Sequence, residues 1–533
     1  MTLTSNAGSA RPQERLLTST TVVSFMTVLS RITGLARDVA FSAWFGSSPV
    51  MEAFIVAFRV PNLMRRFFAE GAFSQAFVPV ISEYRAHKSH AETRELVGYA
   101  AGTLGVALFV VSAAGVAAAP LLILAFAPGF IAKAGGQFDL AVEMLRFTFP
   151  YILFVSLTAF AGSALNAHRR FAVAAFTPVL LNVVMIVFAG LVGPLLDDPA
   201  LGLAGGVFAA GVVQLAFQIP FLKRLDLLPR PRFSLRHEGV RRILSLMGPS
   251  LFGSSVMQIS ILLDTLIASF LLAGSVSWLY YSDRLIEFPL GVLGVALATV
   301  ILPRLSEHHA TRSSQTFSDT LDWALRLVVV ISVPAAVGLA LLAEPLMATL
   351  FLHGEFTQRD VGMAAASLRA YAPGLLAFIL VKVLAPGYFA RQDTRTPVKV
   401  GLQSLVLGMT LAVAFVLVLL RTEWAPAHAG IAAATACSAL ANAGLLLKGL
   451  RKQGVYRART GWRSLALRVA VSSVVMALAL EVGRAYAGDW FGMSSMQRVG
   501  ALAGLVCGGA AVYFLVCFLS GLRVSDLRMK PAT

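Results

Sequence analysis

Fourteen long apolar runs dominate this 533-residue chain, at roughly 20–45, 50–83, 96–126, 138–165, 172–194, 200–222, 240–272, 276–303, 321–352, 361–388, 397–420, 428–447, 464–486 and 497–521. About 20 apolar residues suffice for a helix to cross a hydrocarbon core. No water is available there, so every backbone N–H and C=O must be satisfied within the segment, and runs of this length must be helices. The expected fold class is an all-α polytopic membrane protein with 14 transmembrane helices. Charged residues make up only 13% of the chain and mean hydropathy is +0.76. That excludes an ordinary soluble enzyme and a disordered chain. The surplus of 44 Lys and Arg over 27 Asp and Glu fits basic loops against anionic lipid, not nucleic-acid binding.

Loop charge sets an orientation. Arg85, Lys88 and Arg94 follow span 2, and Arg169 and Arg170 follow span 4. Seven basic residues between Lys223 and Arg242 follow span 6, Arg304 and Arg312 follow span 8, Arg391 and Arg395 follow span 10, and five from Lys448 to Arg459 follow span 12. Intervening loops such as 46–51 and 272–277 carry none. The positive-inside rule then puts both termini in the cytoplasm.

The two halves echo each other. Phe77–Glu83 (FVPVISE) matches Ile301–Glu307 (ILPRLSE), Leu145–Pro150 matches Leu368–Pro373, and Thr177–Val179 matches Thr396–Val398, at offsets of 224, 223 and 219 residues. The offset spans an even number of helices, so the halves are parallel repeats of six helices each, as in alternating-access transporters. The expected order is a cytoplasmic tail (1–19), an N-lobe (20–223), a basic linker (224–239), a C-lobe (240–447), a basic loop (448–463), a final helix pair (464–521) and a tail (522–533).

Charges at membrane depth are costly and mark either a pathway or an ion pair. Spans 1 and 2 hold Arg31, Arg37, Asp38, Glu52, Arg59, Arg65, Arg66 and Glu70. Span 7 holds Asp264, span 8 holds Asp283, Arg284 and Glu287, and span 10 holds Lys382. At about 1.5 Å per residue, Arg31, Arg65 and Arg284 fall near mid-depth. One reading is a structural network: Arg66 with Glu70 and Arg284 with Glu287 stand at helical spacing, and Asp38 can serve one of Arg31 and Arg37. The other is a cavity lined by arginine, since arginines outnumber the acids beside them. Guanidinium forks match phosphate oxygens two at a time. Such a cavity would take a phosphate- or pyrophosphate-bearing anion, whereas export of cationic drugs would call for carboxylates.

Signatures of other chemistries are missing. There is no GxxxxGK[ST], no HExxH, no nucleophile elbow and no Cys/His metal cluster, so neither cofactor nor metal is expected. A membrane-embedded transferase would need a catalytic acid with a donor site; Glu355 and Asp360 are the only acids in the loop after span 9, and no donor-site motif surrounds them.

Four long motifs carry a family resemblance: Ser30–Asp38 (SRITGLARD), Ala57–Pro79 (AFRVPNLMRRFFAEGAFSQAFVP), Trp278–Pro289 (WLYYSDRLIEFP) and Lys382–Lys399 (KVLAPGYFARQDTRTPVK). Together they resemble the MurJ (MviN) family of lipid II flippases, over roughly residues 16 to 520. The resemblance implies a V-shaped fold of the MOP exporter superfamily, with two lobes of six helices and two extra helices forming a lipid-tail groove. It implies no enzymatic activity but transport of lipid II, an undecaprenyl-pyrophosphate-disaccharide-pentapeptide, across the inner membrane of a bacterium. On that likeness the substrate-binding residues are Arg31, Arg37, Arg65, Arg284, Asp38 and Glu52. Arg66, Glu70, Asp283 and Glu287 are expected to supply supporting ion pairs. Some members hold sodium between acids on spans 7 and 11. Asp264 fits the first, but 397–420 contains no Asp or Glu, which leaves Lys382 as the candidate partner of Asp264. The expected partners are lipid II and membrane lipids, with no nucleic acid. The cell-wall synthesis machinery is a further candidate, and the chain is expected to work as a monomer. The readings set against this one are a drug antiporter, a polysaccharide-lipid flippase, a lipid II-using transferase and a non-transporting scaffold.

Overall fold

A computed structural model describes residues 12–65, 73–133, 135–228, 230–311 and 313–523. Arg66 and Glu70 lie outside the described residues. The helices in chain order are α1 (Pro12–Phe45), α2 (Pro49–Arg65), α3 (Phe73–His87), α4 (His90–Ala117), α5 (Ala119–Phe126), α6 (Gln137–Thr148), α7 (Tyr151–Ala167), α8 (Phe171–Val187), α9 (Ala200–Arg224), α10 (Glu238–Ser269), α11 (Ser275–Pro289), α12 (Val295–Ala310), α13 (Ser314–Leu341), α14 (Ala343–Phe351), α15 (Gln358–Tyr371), α16 (Gly374–Phe389), α17 (Arg395–Thr422), α18 (Ala427–Lys452), α19 (Trp462–Ala487) and α20 (Ser495–Leu519). No strand occurs among the described residues. The chain divides into two compact units. The first holds residues through Phe41, Val56–Ile123 and Phe138–Ser255. The second holds Ser42–Ile55, Leu124–Gln137 and everything from Val256 on.

Among the described residues nine helices are long and apolar enough to cross a membrane, or up to eleven if each of two bent pairs is one span. The bent pairs are α11–α12 and α15–α16. Missing from that count are α1, α2 and α10, the helices that carry Arg31, Arg37, Asp38, Glu52, Arg59, Arg65 and Asp264. With these three the number is compatible with the fourteen spans expected.

Proline shapes several of these helices. A proline inside a helix removes the N–H that should bond the carbonyl four residues earlier, and in hydrocarbon that carbonyl must find another donor. Three such carbonyls are satisfied by hydroxyl groups. Pro61 in α2 frees the carbonyl of Ala57, which accepts from Thr148 Oγ1 at 3.1 Å. Pro178 in α8 frees that of Ala174, taken by Thr177 Oγ1 at 2.8 Å. Pro334 in α13 frees that of Val330, taken by the buried Tyr513 hydroxyl of α20 at 2.7 Å.

The duplication is visible in the turns. Between α7 and α8, Arg169 takes a positive φ of 60° and the N–H of Arg170 bonds the carbonyl of Leu165. The α16–α17 turn, 223 residues on, repeats this with Gln392 at φ 60° and Asp393 N–H on Tyr388. There the Thr396 hydroxyl and backbone N–H both bond Asp393 and hold its carboxyl below the usual carboxylate range.

The last two helices are fastened to the second unit along their length. Asp322 of α13 is fully buried and accepts from Tyr456 Oη (2.8 Å), Trp462 Nε1 (2.7 Å), Arg459 N (3.2 Å) and Arg326 Nε (2.7 Å), which ties down the loop leading into α19. At the other end Arg498 of α20 donates to the carbonyls of Ala348 and Leu352, capping α14. Most of the surface of α20 stays apolar and uncovered, including Phe514 and Phe518, as a lipid-facing helix requires.

Candidate functional site

In the first unit the charge-bearing stretch of α1 is built around Arg37. An arginine this deep must have each N–H met, because an unmet buried donor costs about 1–3 kcal/mol. Arg37 is 5% exposed and donates to Asp38 Oδ1 through Nε (3.1 Å) and Nη2 (2.7 Å), and to Asn182 Oδ1 through Nη1 (3.1 Å). Its guanidinium also lies 5.9 Å from the Phe41 ring centre. Asp38 thus serves Arg37, one of the two arginines open to it on sequence grounds. Asn182 of α8 turns its amide nitrogen back to α1, donating to the Ser30 carbonyl and to Thr33 Oγ1, each at 3.2 Å. One amide therefore accepts from the arginine and fixes the rotation of the helix bearing Arg31 and Arg37. Arg31 itself is half-buried.

Arg65 sits one turn beyond Pro61, at the end of α2. Its Nε donates to Asn62 Oδ1 at 3.0 Å, and its side chain is half-buried, as is that of Arg59. The Thr148 hydroxyl takes the Ala57 carbonyl that Pro61 leaves without a donor in the same helix.

In the second unit Glu52 has no exposed surface. Three donors surround it: Lys133 Nζ at 3.1 Å, Gln137 Nε2 at 3.0 Å and the backbone N–H of Val276 at 2.9 Å. Val276 is in the first turn of α11, where helix N–H groups lack intrahelical partners and the helix dipole favours a negative charge. Glu52 therefore caps the helix that carries Asp283, Arg284 and Glu287. The turn before α11 requires glycine. Gly274 has φ 99°, and a Cβ there would lie 2.5 Å from Trp278 Cζ2.

Arg284 is held without being enclosed. Its Nη1 pairs with Glu287 Oε2 at 2.8 Å, its Nη2 donates to the Tyr280 hydroxyl at 3.2 Å, and its guanidinium lies 4.8 Å from the Tyr280 ring centre. Its side chain keeps 30% of its surface. The helix then passes from Pro289 into a π-turn at Leu290–Gly294, a distortion that often marks functional positions. Lys382 of α16 packs its stem beside Gly294, and Asp264 of α10 and Asp283 are half-buried. Among the described residues no three His, Cys, Asp or Glu side chains group as metal ligands.

Asp360 is not isolated, as its sequence surroundings suggest. Its carboxylate caps α15 through Thr357 (N 2.8 Å, Oγ1 2.7 Å), accepts from Trp278 Nε1 at 2.8 Å and bonds the Ser47 hydroxyl. It thereby links α15 to α11 and to the turn after α1. Sequence reasoning missed Asn182, Lys133, Gln137 and Thr148, and named Asp360 without assigning it a role. The available signal was slight, a lone polar residue in or beside an apolar run.

Replacing Asn182 by leucine should strand one Arg37 donor and both α1 acceptors. The expected loss is about 1–3 kcal/mol, read as a lowered unfolding midpoint of the purified chain. Asn182→Asp should recover only part of it, since a carboxylate cannot donate to Ser30 and Thr33. A leucine variant as stable as the parent would contradict this arrangement.

A family model described as "Lipid II flippase MurJ" matches residues 41–500. A probable lipid II flippase MurJ of Vibrio cholerae is 45% identical over 523 residues, covering 97% of this chain and 98% of the relative. One from Haemophilus influenzae is 43% identical over 520 residues, with 95% and 100% covered. The lipid II flippase MurJ of Burkholderia cenocepacia is 41% identical over 514 residues, with 95% and 98% covered. Among solved structures, a lipid II flippase MurJ in an inward closed conformation aligns with a TM-score of 0.76 at 24% identity, covering 93% of this chain and 98% of that one. An inward-facing multidrug MATE transporter of the MOP superfamily aligns at 0.65 and 16% identity, covering 81% and 98%.

Proposed function

The chain belongs to the lipid II flippase MurJ family, and from that premise we propose how its own residues handle the substrate. It is a multi-pass membrane protein that flips lipid II, a transporter and not an enzyme. Arg31, Arg65 and Arg284 hold the pyrophosphate during transfer, and Arg37, buried against Asp38 and Asn182, fixes the helix that presents Arg31. Glu52 orients α11 and with it Arg284. Arg66 with Glu70, and Glu287 with Arg284, form supporting ion pairs to which Asp283 adds a further negative charge, and Asp264 with Lys382 serves as an ion or charge-relay pair. The lobes are 20–223 and 240–447, and 464–521 guides the polyprenyl tail. The chain works as a monomer in the cytoplasmic membrane, with both termini inside, and it supplies the cell-wall synthesis machinery.

The observation that carries this reading is Arg284. It is oriented by Glu287 and Tyr280 yet still accessible, which is what a preorganised anion ligand needs. The test reconstitutes the purified chain in liposomes with labelled lipid II in one leaflet and follows its appearance in the other. Transfer well above protein-free liposomes, with lipid II of unchanged mass, is expected. Transfer no faster than in protein-free liposomes, or chemically altered lipid II, would overturn it.

A further inference from the structure

The basic linker between α9 and α10 is not a slack loop. Leu227 at its start and Val240 past its end are fully or nearly fully buried. Asp226 pairs with Arg94 of α4, and His237 packs on Tyr99 of α4, ring centres 4.8 Å apart. Between these anchors residues 230–236 run alongside α4. Arg232 N–H bonds the Gly98 carbonyl at 3.1 Å, and Ser234 exchanges two hydrogen bonds with Thr103 Oγ1, each at 3.2 Å. Gly98 and Gly102, one turn apart, make this approach feasible. A Cβ on Gly98 would lie 2.9 Å from the Arg230 carbonyl oxygen, and one on Gly102 would collide with the Arg232 backbone.

This seating leaves an unusual outer face. Phe233 is 58% exposed and Leu235 is 55% exposed, whereas Leu227 and Val240 on either side of the strip are buried. Arg230, Arg232 and Arg236 alternate with them and are all exposed. Apolar side chains interleaved with guanidinium groups, at the level where two spans leave the membrane, suit a surface that is oily beneath and negative above. We propose that residues 230–236 form a rigid docking strip for the headgroups of anionic phospholipids in the cytoplasmic leaflet, with Phe233 and Leu235 reaching below the phosphate plane. The assignment to the cytoplasmic leaflet rests on the orientation proposed above. Each arginine near an anionic surface contributes about fivefold to lipid affinity, on the order of a hundredfold for three.

The test uses the full chain in phosphatidylcholine nanodiscs containing a trace of phosphatidylglycerol with a photoreactive group near its headgroup. Labelled residues are mapped by mass spectrometry. Lipid II is absent from every arm, so the outcome does not depend on flipping. Labelling is expected on 230–236, displaced by unlabelled phosphatidylglycerol but not by phosphatidylcholine or inorganic phosphate. It should fall at least tenfold when Arg230, Arg232 and Arg236 are all changed to Gln, and also in Phe233→Ser with Leu235→Ser. Both variants alter only exposed side chains, so folding should persist, checked by an unchanged unfolding midpoint. Equal labelling by a photoreactive phosphatidylcholine, displacement by inorganic phosphate, or labelling that survives arginine replacement would overturn the proposal.

Discussion

Arg284→Ala is expected to abolish rescue of cells depleted of their own lipid II flippase, with normal amounts of the variant in the membrane. Arg284 stands on α11 with its fork aligned by Glu287 and Tyr280. A hydrogen bond from a charged donor is worth about 1.5–3 kcal/mol. Losing a two-pronged grip on pyrophosphate would therefore slow transfer by on the order of 10² to 10⁴. Arg284→Lys should fall between, because lysine keeps the charge but not the planar fork. Arg31→Ala and Arg65→Ala should behave like Arg284→Ala. Full rescue by any of the alanine variants would remove that residue from the substrate-binding set.

The second large effect belongs to Glu52. Glu52→Ala leaves the Lys133 ammonium, the Gln137 amide and the Val276 N–H facing an empty acceptor position in a buried site. Breaking a buried pair by removing one partner costs about 3–5 kcal/mol. The unfolding midpoint should fall by several degrees, and the first turn of α11 should exchange its amide hydrogens faster. Removing Lys133 as well should recover part of the loss, because the double variant no longer carries an unmatched, half-buried cation. If Glu52→Ala and Glu52→Ala with Lys133→Ala were equally destabilised, the ion pair would not be the source of the effect.

How much of this was readable beforehand follows from how each feature is encoded. The helical class and the arginine-bearing helices were legible because charge inside an apolar run is rare and expensive. The Arg284–Glu287 pair was legible from spacing alone, and the structure forms it. The repeat was legible where residues were kept, but the matching turns at Arg169 and Gln392 were not, since different residues share the backbone geometry. Asn182 bonds a residue 145 positions away, and Glu52 meets a backbone N–H 224 positions away. No local period reports such contacts. The proline-freed carbonyls at Ala57 and Val330 were half legible: proline announces the vacancy, but Thr148 and Tyr513 come from distant helices.

Recognition of the diphosphate by arginine is tested most directly by comparing the affinity of the purified chain for a polyprenyl pyrophosphate with that for the same polyprenol carrying a single phosphate. The parent should bind the diphosphate at least about tenfold more tightly, one additional charge-assisted contact. That preference should vanish in Arg31→Ala, Arg65→Ala and Arg284→Ala combined. Equal affinities in the parent, or a preference that persists without the three arginines, would contradict the account.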